Sequence, residues 1–507
     1  MYRLAMTRSP SAPPRSPVVV GVGQIANKDP ERIVHPTDLM RDAVLAAAAD
    51  AHADVLPHVG VVRSAPLSIF GDEHGGEMVA ELVGLPTGSR IQWAYSGAAP
   101  QLHMSAACAA IAGGEADAVL LVGGIADASY RNAQRLGIAP PAPPTSVWSQ
   151  GSRGVGMRRP AGKYKWDTAE ADAGAEMPST FFALVESAMG ARDGLERDAH
   201  SERLGTLMAA FTEVAASRPD LAWFPTPRAA VDLSTPCPRN RYIAEPYTKL
   251  MCSFPTIDLA AAVIVTSCEL ADRLGVPAAG RVYPWVGVGA KEPGAPSARE
   301  RIDSAPALDA AAALALSLAG IEADDVSVFD LYSCFPAAVQ LGMRAFGLAI
   351  DDRRPRTVTG GLPFFGGPGA NYTLHGIACL VEHSRQNPGE IGAMVGLGGM
   401  IDDFAIGLYA SEPPRLPFSA ATAPVAATAP VATARTASGP GVIEAASVLH
   451  DRDRGPVAAP AIVRLPDGRR VGARLGADAH AAELSELTLV GRDVVLADSE
   501  AGATYEL

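Results

Sequence analysis

The chain has 507 residues, of which 48% are hydrophobic and 19% are charged. This composition predicts a folded protein with a large core and more than one domain, and it excludes a chain that is disordered throughout. Lysine and arginine number 42 against 55 aspartate and glutamate residues, giving a formal net charge of −13. An acidic balance of this size excludes nucleic acid as the main partner and argues against an anionic membrane surface.

The six cysteines are far apart in the sequence and form no Cys-x-x-Cys pair. That spacing predicts neither a metal site nor a redox dithiol, and it is typical of reduced thiols in a cytoplasmic protein. Residues 1–16 contain arginines and prolines but no apolar segment of the kind a secretion signal needs, so we interpret them as a disordered tail. The most apolar stretches, 308–320 and 259–267, are shorter than the roughly 18 to 20 residues that span a bilayer, so no membrane span is predicted.

From residue 17 onward, short β-branched runs alternate with longer amphipathic segments, which is the pattern of an α/β protein with buried strands. In the first part of the chain this pattern predicts strands over 17–24, 59–66 and 118–124 and helices over 36–51, 77–84 and 100–117. Later it predicts strands over 281–289, 325–335 and 391–399, helices over 306–320, 336–347 and 371–386, and a glycine-rich loop over 359–370. Because the order of elements repeats, we predict an internal duplication.

These boundaries predict an N-terminal half over 17–280 and a C-terminal half over 281–410. Residues 125–250, rich in proline, arginine and aromatic side chains, form an inserted loop domain in the first half that could cover a substrate. The alanine-, proline- and threonine-rich segment 411–440 is predicted to be a linker. Residues 441–507 alternate as strands do and carry a Pro-Asp-Gly turn, so we predict a small, mainly β, OB-like accessory domain.

Four stretches, in this order, carry a specific resemblance: SGAAPQLHMSAACAAIAGGEADAVLLVGG, NRYIAEPYTKLM, FDLYSCFPAAVQL and TGGLPFFGGPGANYTLHGIACLVEHSRQ. They resemble the thiolase superfamily, nearest its sterol-carrier-type and acetyl-CoA acetyltransferase-like branches, over about residues 17 to 410. The resemblance implies an α/β thiolase-like fold of two duplicated βαβαβ halves in α-β-α-β-α layers. The final segment resembles the extra C-terminal β domain of some thiolase-like proteins.

A working thiolase forms an acyl-cysteine, and a thiol with a pKa of about 8.5 needs a helix N-terminus and a base to become a nucleophile at neutral pH. The family's nucleophile position corresponds to Gly97 when counted back from Asp117 without gaps, or to Ala94 when a gap preserves Ser96-Gly97. Neither is cysteine. Cys108, the nearest thiol, lies well inside a predicted helix, where a buried and inert thiol is expected.

The family's catalytic histidine is also replaced, because its Gly-His-Pro motif reads Gly366-Gly367-Pro368 here. His375 follows in the next predicted helix, with Cys379 at i+4 and Glu382 at i+7 on one stripe. A reactive cysteine–histidine pair and a packed histidine both remain open. The second catalytic cysteine is absent from residues 395–399, so the usual Cys, His, Cys set is missing.

A tyrosine takes a further motif position: the chain reads Tyr332-Ser333-Cys334-Phe335 where thiolases have Asn-Glu-Ala-Phe or His-Asp-Cys-Phe. This is similar to thiolase-fold aldolases of steroid side-chain degradation, which use tyrosines and no acyl-cysteine. The catalytic candidates are therefore Tyr332 and His375, as acid or base, with Tyr372 as a second phenol. Alternatively, Tyr332 only ends a strand and donates one hydrogen bond.

Coenzyme A would need cations for its phosphates and glycines for close backbone approach. In the insertion, Arg158, Arg159 and Lys163 form a cluster with two further cations, and we predict a phosphate patch there, unless it is only a solvated loop. Gly366, Gly367 and Gly369 would let the backbone approach a ligand, although tight turns alone could require them.

Three functions follow from the resemblance. The first is an acyltransferase, or carbon–carbon bond chemistry of aldolase type, on acyl-CoA thioesters without the usual catalytic set. The second is a non-catalytic acyl-CoA or lipid-binding protein, or a partner subunit. The third is an ordinary thiolase with a displaced cysteine. A coenzyme A thioester is the expected ligand, with no tightly bound cofactor, and a homodimer or a partner subunit is expected.

Overall fold

A computed structural model describes residues 12–65, 74–86, 88–141, 155–157, 168–426, 429–476, 481–485, 487–499 and 502–507. For Trp93 and residues 155–157 it describes the backbone alone. The statements below concern these residues.

Strands and helices alternate through the first 410 residues. The strands are β1 (Pro17–Ala26), β2 (Val59–Ser64), β3 (Arg90–Ala94), β4 (Ala118–Ala126), β5 (Val155–Met157), β6 (Tyr242–Ala244), β7 (Tyr247–Thr248), β8 (Asp258–Ser267), β9 (Tyr283–Lys291), β10 (Val326–Leu331), β11 (Ile391–Gly398) and β12 (Asp403–Ala410). The helices are α1 (Pro36–Asp50), α2 (Gly75–Leu82), α3 (Ala99–Ala112), α4 (Asp127–Leu136), α5 (Ala169–Asp172), α6 (Pro178–Arg192), α7 (Arg197–Ala216), α8 (Ala230–Ser234), α9 (Cys268–Arg273), α10 (Pro306–Ala319), α11 (Pro336–Ala345), α12 (Gly361–Phe364) and α13 (Tyr372–Gln386).

The first sheet has the order β1-β8-β4-β2-β3-β5 in the described part of the chain. Every residue of β4 and β8 is buried, because helices or a second layer cover both faces of the sheet. The sequence pattern missed β3 and β8. A strand buried on both faces lacks the alternation that identifies strands, so 259–267 stood out only as an apolar stretch, and β3 is short and contains Arg90 and Gln92.

The second sheet contains the order β10-β11-β12-β9. β10 and β11 are parallel, whereas β12 runs antiparallel to both β11 and β9. The sequence pattern also missed β12. Because the last predicted strand ended at the glycine pair near residue 399, the hairpin that continues the sheet behind those glycines was not anticipated.

Two buried helices separate the sheets. α3 contacts strands of both sheets, as does α13, in which every residue from Tyr372 to Val381 is buried. α1 packs on the outer face of the first sheet and α10 on the outer face of the second. Glycine permits the first of these packings, because a Cβ on Gly21 would collide with the carbonyl oxygen of Ala47. The result is the predicted α-β-α-β-α layering.

The predicted insertion, 125–250, is mainly helical where the structure describes it. It contains α4 to α8, of which α6 and α7 have 15 and 20 residues, and the short hairpin of β6 and β7. Both long helices contribute to the same hydrophobic cluster as the second sheet, through Phe181, Phe182 and Phe211. The insertion therefore packs on the second half of the chain.

The C-terminal residues form a separate sheet. Its elements, with those of the segment before it, are β13 (Ser419–Thr422), β14 (Thr433–Ala434), β15 (Gly439–Ala446), β16 (Leu449–Asp451), β17 (Gly455–Ala458), β18 (Ala461–Arg464), β19 (Arg470–Leu475), α14 (Ala481–Leu484), β20 (Asp493–Ser499) and β21 (Gly502–Glu506). Strands β19-β18-β15-β20-β21 close on themselves, because β21 also pairs with β19. The predicted turn at Pro466-Asp467-Gly468 is confirmed, since it joins β18 to antiparallel β19.

The segment 411–440 joins the two parts by strand pairing. Within it, β13 pairs with β9 of the second sheet and β14 pairs with β19 of the C-terminal sheet. The two parts are also joined by a buried cation: Arg470, 2% exposed, donates to the backbone carbonyls of Ser297, Arg299 and Glu300 and pairs with Glu444.

The C-terminal domain also holds the hairpin of β6 and β7. The backbone N–H of Glu245, in the turn of this hairpin, donates to the carbonyl of Val448 at 2.9 Å, and the hydroxyl of Ser447 donates to the carbonyl of Glu245 at 2.9 Å. The Glu245 carboxylate lies 2.7 Å from the His450 ring. β16 continues the hairpin as a small sheet with β17. The C-terminal domain thus fixes the position of the hairpin.

Candidate functional site

A cavity of about 550 Å³ opens where loops of both halves meet the insertion. The loop before α3, the residue after β10, the glycine-rich loop and the end of β11 contribute Gly97, Tyr332, Gly367 and Gly398. Its apolar wall consists of Met177, Phe182, Ile243, Phe254, Phe335, Leu362, Leu397 and Met400, and its polar side chains include Tyr95, Glu176, Ser179, Lys249, Ser253 and Tyr332. A largely apolar cavity with a few polar groups is typical of a small-molecule site.

Tyr332 is the predicted catalytic residue that lies in this cavity. It follows β10, is 8% exposed, and is held by its backbone N–H, which donates to the carbonyl of Val395 at 3.1 Å. Burial, with the neighbouring Cys334 and Tyr95, raises the pKa of the Tyr332 phenol well above its ordinary value. The phenol is therefore neutral at physiological pH and presents an O–H donor to the cavity.

Gly97, the position of the family's nucleophile by ungapped count, faces the same phenol. A Cβ atom on Gly97 would lie 2.6 Å from the Tyr332 hydroxyl oxygen and would collide with the carbonyl oxygen of Leu397. No side chain fits at Gly97 unless the backbone moves. Ala94, the gapped alternative, ends β3 and is paired with Met157. The structure thus puts a phenol beside the position that, by ungapped count, corresponds to the family's acyl-cysteine.

Two thiols, Cys252 and Cys334, also line the cavity. Burial raises the pKa of Cys252 to about 12, against the opposing effect of Arg241. Burial likewise raises the pKa of Cys334 far above its ordinary value. Cys108 and Cys379 are not among the cavity residues, and burial raises the pKa of each thiol as well. These four groups are thiols rather than thiolates at neutral pH, which removes the form that attacks a thioester.

We therefore expect no acetyl-cysteine when the protein is incubated with acetyl-CoA at neutral pH. The measurement is mass spectrometry of the intact protein and its peptides. Alkylation of the exposed Cys237 by iodoacetamide serves as the control that a modified cysteine is detected. A stable acetyl group on Cys252 or Cys334 would restore the displaced-cysteine thiolase.

His375 lies outside the cavity. It is 0% exposed within α13, its Nδ1 lies 2.8 Å from the Gln24 Oε1, and its ring meets Phe365 edge to face. Burial lowers the pKa of His375 to about 3. Cys379 and Glu382 contact the same Gln24 side chain, at 3.4 and 3.3 Å. The three residues do share one stripe, but the stripe faces β1, so the environment of His375 is that of a packed histidine.

Tyr372 lies next to Tyr332 but is not one of the cavity residues. Its hydroxyl lies 2.7 Å from the Thr359 hydroxyl and donates to Asp330 at 3.0 Å, and its ring meets the Tyr332 ring edge to face at 5.6 Å. Asp330 is fully buried and also accepts from the hydroxyl of Thr357 and the backbone N–H of Val358. This network holds the glycine-rich loop against β10 and keeps Tyr372 out of the cavity.

Among the predicted coenzyme A residues, Gly367 and Gly369 line the cavity, whereas Gly366 is not one of its lining residues. A Cβ on Gly367 would collide with the Ser253 hydroxyl, and Gly366 has a φ of 120° that disfavours other residues. The predicted phosphate patch of Arg158, Arg159 and Lys163 lies outside the described residues.

Sequence inspection missed several cavity residues. Lys249, the cation among the described lining residues, stands in the NRYIAEPYTKLM stretch, where it was noted only as part of a motif. Cys252 and Ser253 come directly after this stretch, which ends at Met251. Tyr95 precedes the Ser96-Gly97 pair, next to the position of the family's nucleophile. The sequence signal for Tyr95 is its position beside the family's nucleophile position.

A solved structure of similar sequence is the monomeric SCP2-thiolase-like protein type 1 from Mycobacterium smegmatis. It has 31% identity and a TM-score of 0.82, and the match covers 98% of this chain and 100% of that one. The chain belongs to the thiolase superfamily, as an SCP2-thiolase-like protein. Because the match covers nearly the whole chain, it extends the superfamily assignment to the C-terminal domain, and it confirms the predicted thiolase-like fold.

Two more distant solved structures share the fold alone. The Ltp2-ChsH2(DUF35) aldolase has 19% identity and a TM-score of 0.58, over 80% of this chain and 100% of that one. The Acat5 thiolase from Ascaris suum, solved in complex with coenzyme A, has 14% identity and a TM-score of 0.56, over 78% and 99%. No protein-family model and no curated protein matches the chain. No helix that the structure describes is long and apolar enough to cross a bilayer.

Proposed function

We propose that this SCP2-thiolase-like protein makes or breaks a carbon–carbon bond in an acyl-CoA thioester, using the Tyr332 phenol instead of an acyl-cysteine. The observation that supports the proposal is the placement of the Tyr332 hydroxyl beside Gly97, in a cavity whose thiols are protonated. The substrate carbonyl would lie where the phenol can donate a hydrogen bond to it.

The raised pKa of Tyr332 favours a donor over a base. When the carbon–carbon bond of a β-hydroxyacyl thioester breaks, the β-hydroxyl gives its proton to a base, for which Glu176 is the carboxylate among the described lining residues, and its carbon becomes a carbonyl. The electron pair of the broken bond passes to the thioester as an enolate, so negative charge develops on the thioester oxygen until the enolate carbon takes up a proton. A fixed O–H donor aimed at that oxygen stabilises the charge, and one such donor contributes about a hundredfold or more to a rate. Tyr95 lines the same cavity and is the second phenol near the reacting groups.

The proposed ligand fits the size and chemistry of the cavity. Its volume of about 550 Å³ is within the roughly 300 to 1,000 Å³ of small-molecule sites. The aromatic and aliphatic wall suits an acyl chain, and Lys249 supplies a positive charge for an anionic group of the coenzyme. Gly367 and Gly369 allow backbone approach, and the cluster of Arg158, Arg159 and Lys163 stays a predicted phosphate contact.

Calorimetry with coenzyme A is expected to give saturable binding, and Lys249→Met is expected to weaken it by about two- to fivefold, the effect of one exposed ion pair. Lys291→Met is the matched control, because Lys291 is also an exposed lysine but does not line the cavity. No heat of binding at millimolar coenzyme A would overturn the proposal. Equal losses in both variants would show that Lys249 acts only through overall charge.

A second candidate is a non-catalytic acyl-CoA-binding protein. It is favoured by the composition of the cavity, in which the described lining residues include no histidine and a single carboxylate, Glu176, on the exposed side. Saturable binding of coenzyme A thioesters without turnover of any of them would decide for this candidate.

The expected homodimer or partner subunit also remains a proposal. The edge of the first sheet at β3 is already paired with β5 of the same chain, so a second copy could not add to that edge without displacing β5. We favour a monomer or a complex with a different subunit over a dimer through β3.

A further inference from the structure

The C-terminal domain is connected to two segments that contribute residues to the cavity. One is the hairpin of β6 and β7, which carries Ile243 and is followed directly by Lys249. The other is the turn between β11 and β12, which contains Gly399 and Met400. No described residue of the C-terminal domain lines the cavity itself. Any influence of this domain on the cavity therefore passes through these two segments.

The hairpin is too short to hold its own position. β6 has three residues and β7 has two, and even a longer two-stranded hairpin is only marginally stable alone. β16 of the C-terminal domain extends it, with Leu449 opposite Ala244. The insertion holds β7, because the Tyr247 hydroxyl donates to Glu186 at 2.9 Å. The C-terminal domain thus supports β6 and the turn of the hairpin, while the insertion supports β7.

Glu245, in the turn of the hairpin, is held by side chains of the C-terminal domain. Its side chain is 9% exposed, and a buried carboxylate needs hydrogen-bond partners. Two partners come from the C-terminal domain, the His450 Nε2 at 2.7 Å and the hydroxyl of Ser485. The third is Arg197 of α7, at 3.2 Å. Together with the backbone bonds of the same turn, these contacts fix the segment that leads into Lys249.

The turn after β11 has a backbone conformation that its sequence disfavours. Gly399 and Ile401 have φ angles of 63° and 59°, and a β-branched residue is rarely left-handed. Such a conformation persists where surrounding contacts impose it. Here the Asp402 carboxylate accepts from the backbone N–H of Met400 at 2.8 Å, and the guanidinium of Arg299 donates to the Ile401 carbonyl at 2.5 Å. A buried arginine outside the turn therefore helps to hold it.

The C-terminal domain positions Arg299. The backbone carbonyl of Arg299 accepts from Arg470 of β19, which is 2% exposed and also donates to two neighbouring carbonyls. Arg470 is itself paired with Glu444 of β15. A continuous series of contacts leads from the C-terminal sheet through Arg470 and Arg299 to the carbonyl of Ile401, which directly follows Met400 in the cavity.

We propose that the C-terminal domain is a positioning domain for the cavity. It holds the hairpin through Glu245 and the turn after β11 through Arg470 and Arg299. These three are positioning residues, since none of them lines the cavity. Coenzyme A binding and docking of the C-terminal domain then favour each other, because coupling between two sites is reciprocal. The identity of the ligand rests on the proposed function, whereas the two sets of contacts do not.

Hydrogen exchange of the full chain, read by mass spectrometry, tests the hairpin without any ligand. His450→Ala is expected to speed exchange of residues 243–249 by about threefold or more, because the hairpin opens locally more often. His383→Ala is the matched control. The His383 ring also lies 2.7 Å from a carboxylate, that of Glu390, but this pair joins α13 to the loop that follows it. The control is expected to leave residues 243–249 unchanged.

Arg470→Lys is expected to speed exchange of residues 397–402 to a similar extent. A lysine ammonium is a single point of charge and does not reproduce the fork with which Arg470 reaches three carbonyls and Glu444. Arg464→Lys is the matched control, because Arg464 pairs with the same Glu444 at 2.6 Å and otherwise bonds to Gly468 within the C-terminal domain. Unchanged exchange in both cavity segments would overturn the inference.

Calorimetry with coenzyme A adds the functional measurement. His450→Ala is expected to weaken binding about fivefold, the low end of a typical coupling, because the insertion also holds β7. In the wild type, coenzyme A is expected to slow exchange of residues 447–451, which lie outside the cavity. Ser485→Ala removes only a hydroxyl from the Glu245 carboxylate, and it replaces His450→Ala if that variant does not fold.

The two proposals fail in different ways. Faster exchange in the variants, with no binding of coenzyme A to the wild type, would overturn the proposed function and support the positioning role. Saturable binding of coenzyme A with equal affinity in the wild type, His450→Ala and Arg470→Lys would overturn the positioning role and leave the proposed function in place.

Discussion

Tyr332→Phe is expected to lower turnover of the protein's acyl-CoA substrate by at least about tenfold, and on the order of a hundredfold if the phenol is the main donor to the developing oxyanion. The substitution removes only the hydroxyl from a side chain held by the Val395 carbonyl and the Tyr372 ring, so the cavity keeps its shape. Coenzyme A affinity is expected to change little, since the donor acts where charge develops. Steady-state kinetics and calorimetry on the same preparation measure both quantities.

Tyr409→Phe is the matched control for this experiment. Tyr409 is also a fully buried phenol, hydrogen-bonded to Gln101 at 2.7 Å, but it does not line the cavity. Its loss is expected to cost about 1 kcal/mol of stability and to leave turnover unchanged. If Tyr332→Phe turns over an identified substrate at the wild-type rate, Tyr332 is not catalytic and the phenol hypothesis fails.

Restoring the family's thiol by Gly97→Cys is expected to destabilise the protein rather than create a thiolase. The new Cβ would collide with the carbonyl oxygen of Leu397, which belongs to the buried strand β11, and would lie 2.6 Å from the Tyr332 hydroxyl. Overpacking against backbone is costly because a strand in the middle of a sheet cannot shift alone, and we expect a loss of about 3 kcal/mol or more in the free energy of unfolding. Chemical denaturation measures this.

Two further variants show which of the two collisions destabilises Gly97→Cys. Gly60→Cys is the matched control, because Gly60 is also a glycine near a strand end and a Cβ there has no atom within 4 Å. Its stability is expected to stay near that of the wild type. Gly97→Cys combined with Tyr332→Ala removes the phenol but not the Leu397 collision, so it is expected to remain destabilised. A stable double variant with acetyl-transferring activity would show that the phenol alone excludes the cysteine.

The elements of both halves were predictable where local pattern is strong. Amphipathic α1 and α10 agree with the predictions to within a few residues, because burial of one face leaves a period in the sequence. Strands β1 and β11 also agree, although β11 is buried throughout, because each is a short apolar run bounded by residues typical of turns. β8 was missed because its sequence is a continuous apolar run, and β12 was missed because the last strand was predicted to end at the glycine pair before it. A strand covered on both faces has no period to detect, and a continuous apolar run alone does not distinguish strand from helix.

The candidate site was predictable in part. Tyr332 and Gly367 could be found because a motif of the superfamily marks their places, and both lie in the cavity. Lys249 and Tyr95 were not singled out, since nothing in their immediate sequence indicates that the hairpin of β6 and β7 and the loop before α3 meet across a cavity. His375 was placed correctly on its helix, but the direction of the helix face depends on which sheet it packs against.

The sequence by itself determined the chemistry that is missing and the residue types that remain: a chain without cysteine at the nucleophile position, with glycine in place of histidine, and with a tyrosine after a buried strand. Only the tertiary structure decided that the Tyr332 hydroxyl fills the space beside Gly97 and that His375 faces away. The physical reason is that patterns of burial and turn formation are local, whereas the meeting of two distant loops follows from how both sheets pack on the shared helices α3 and α13.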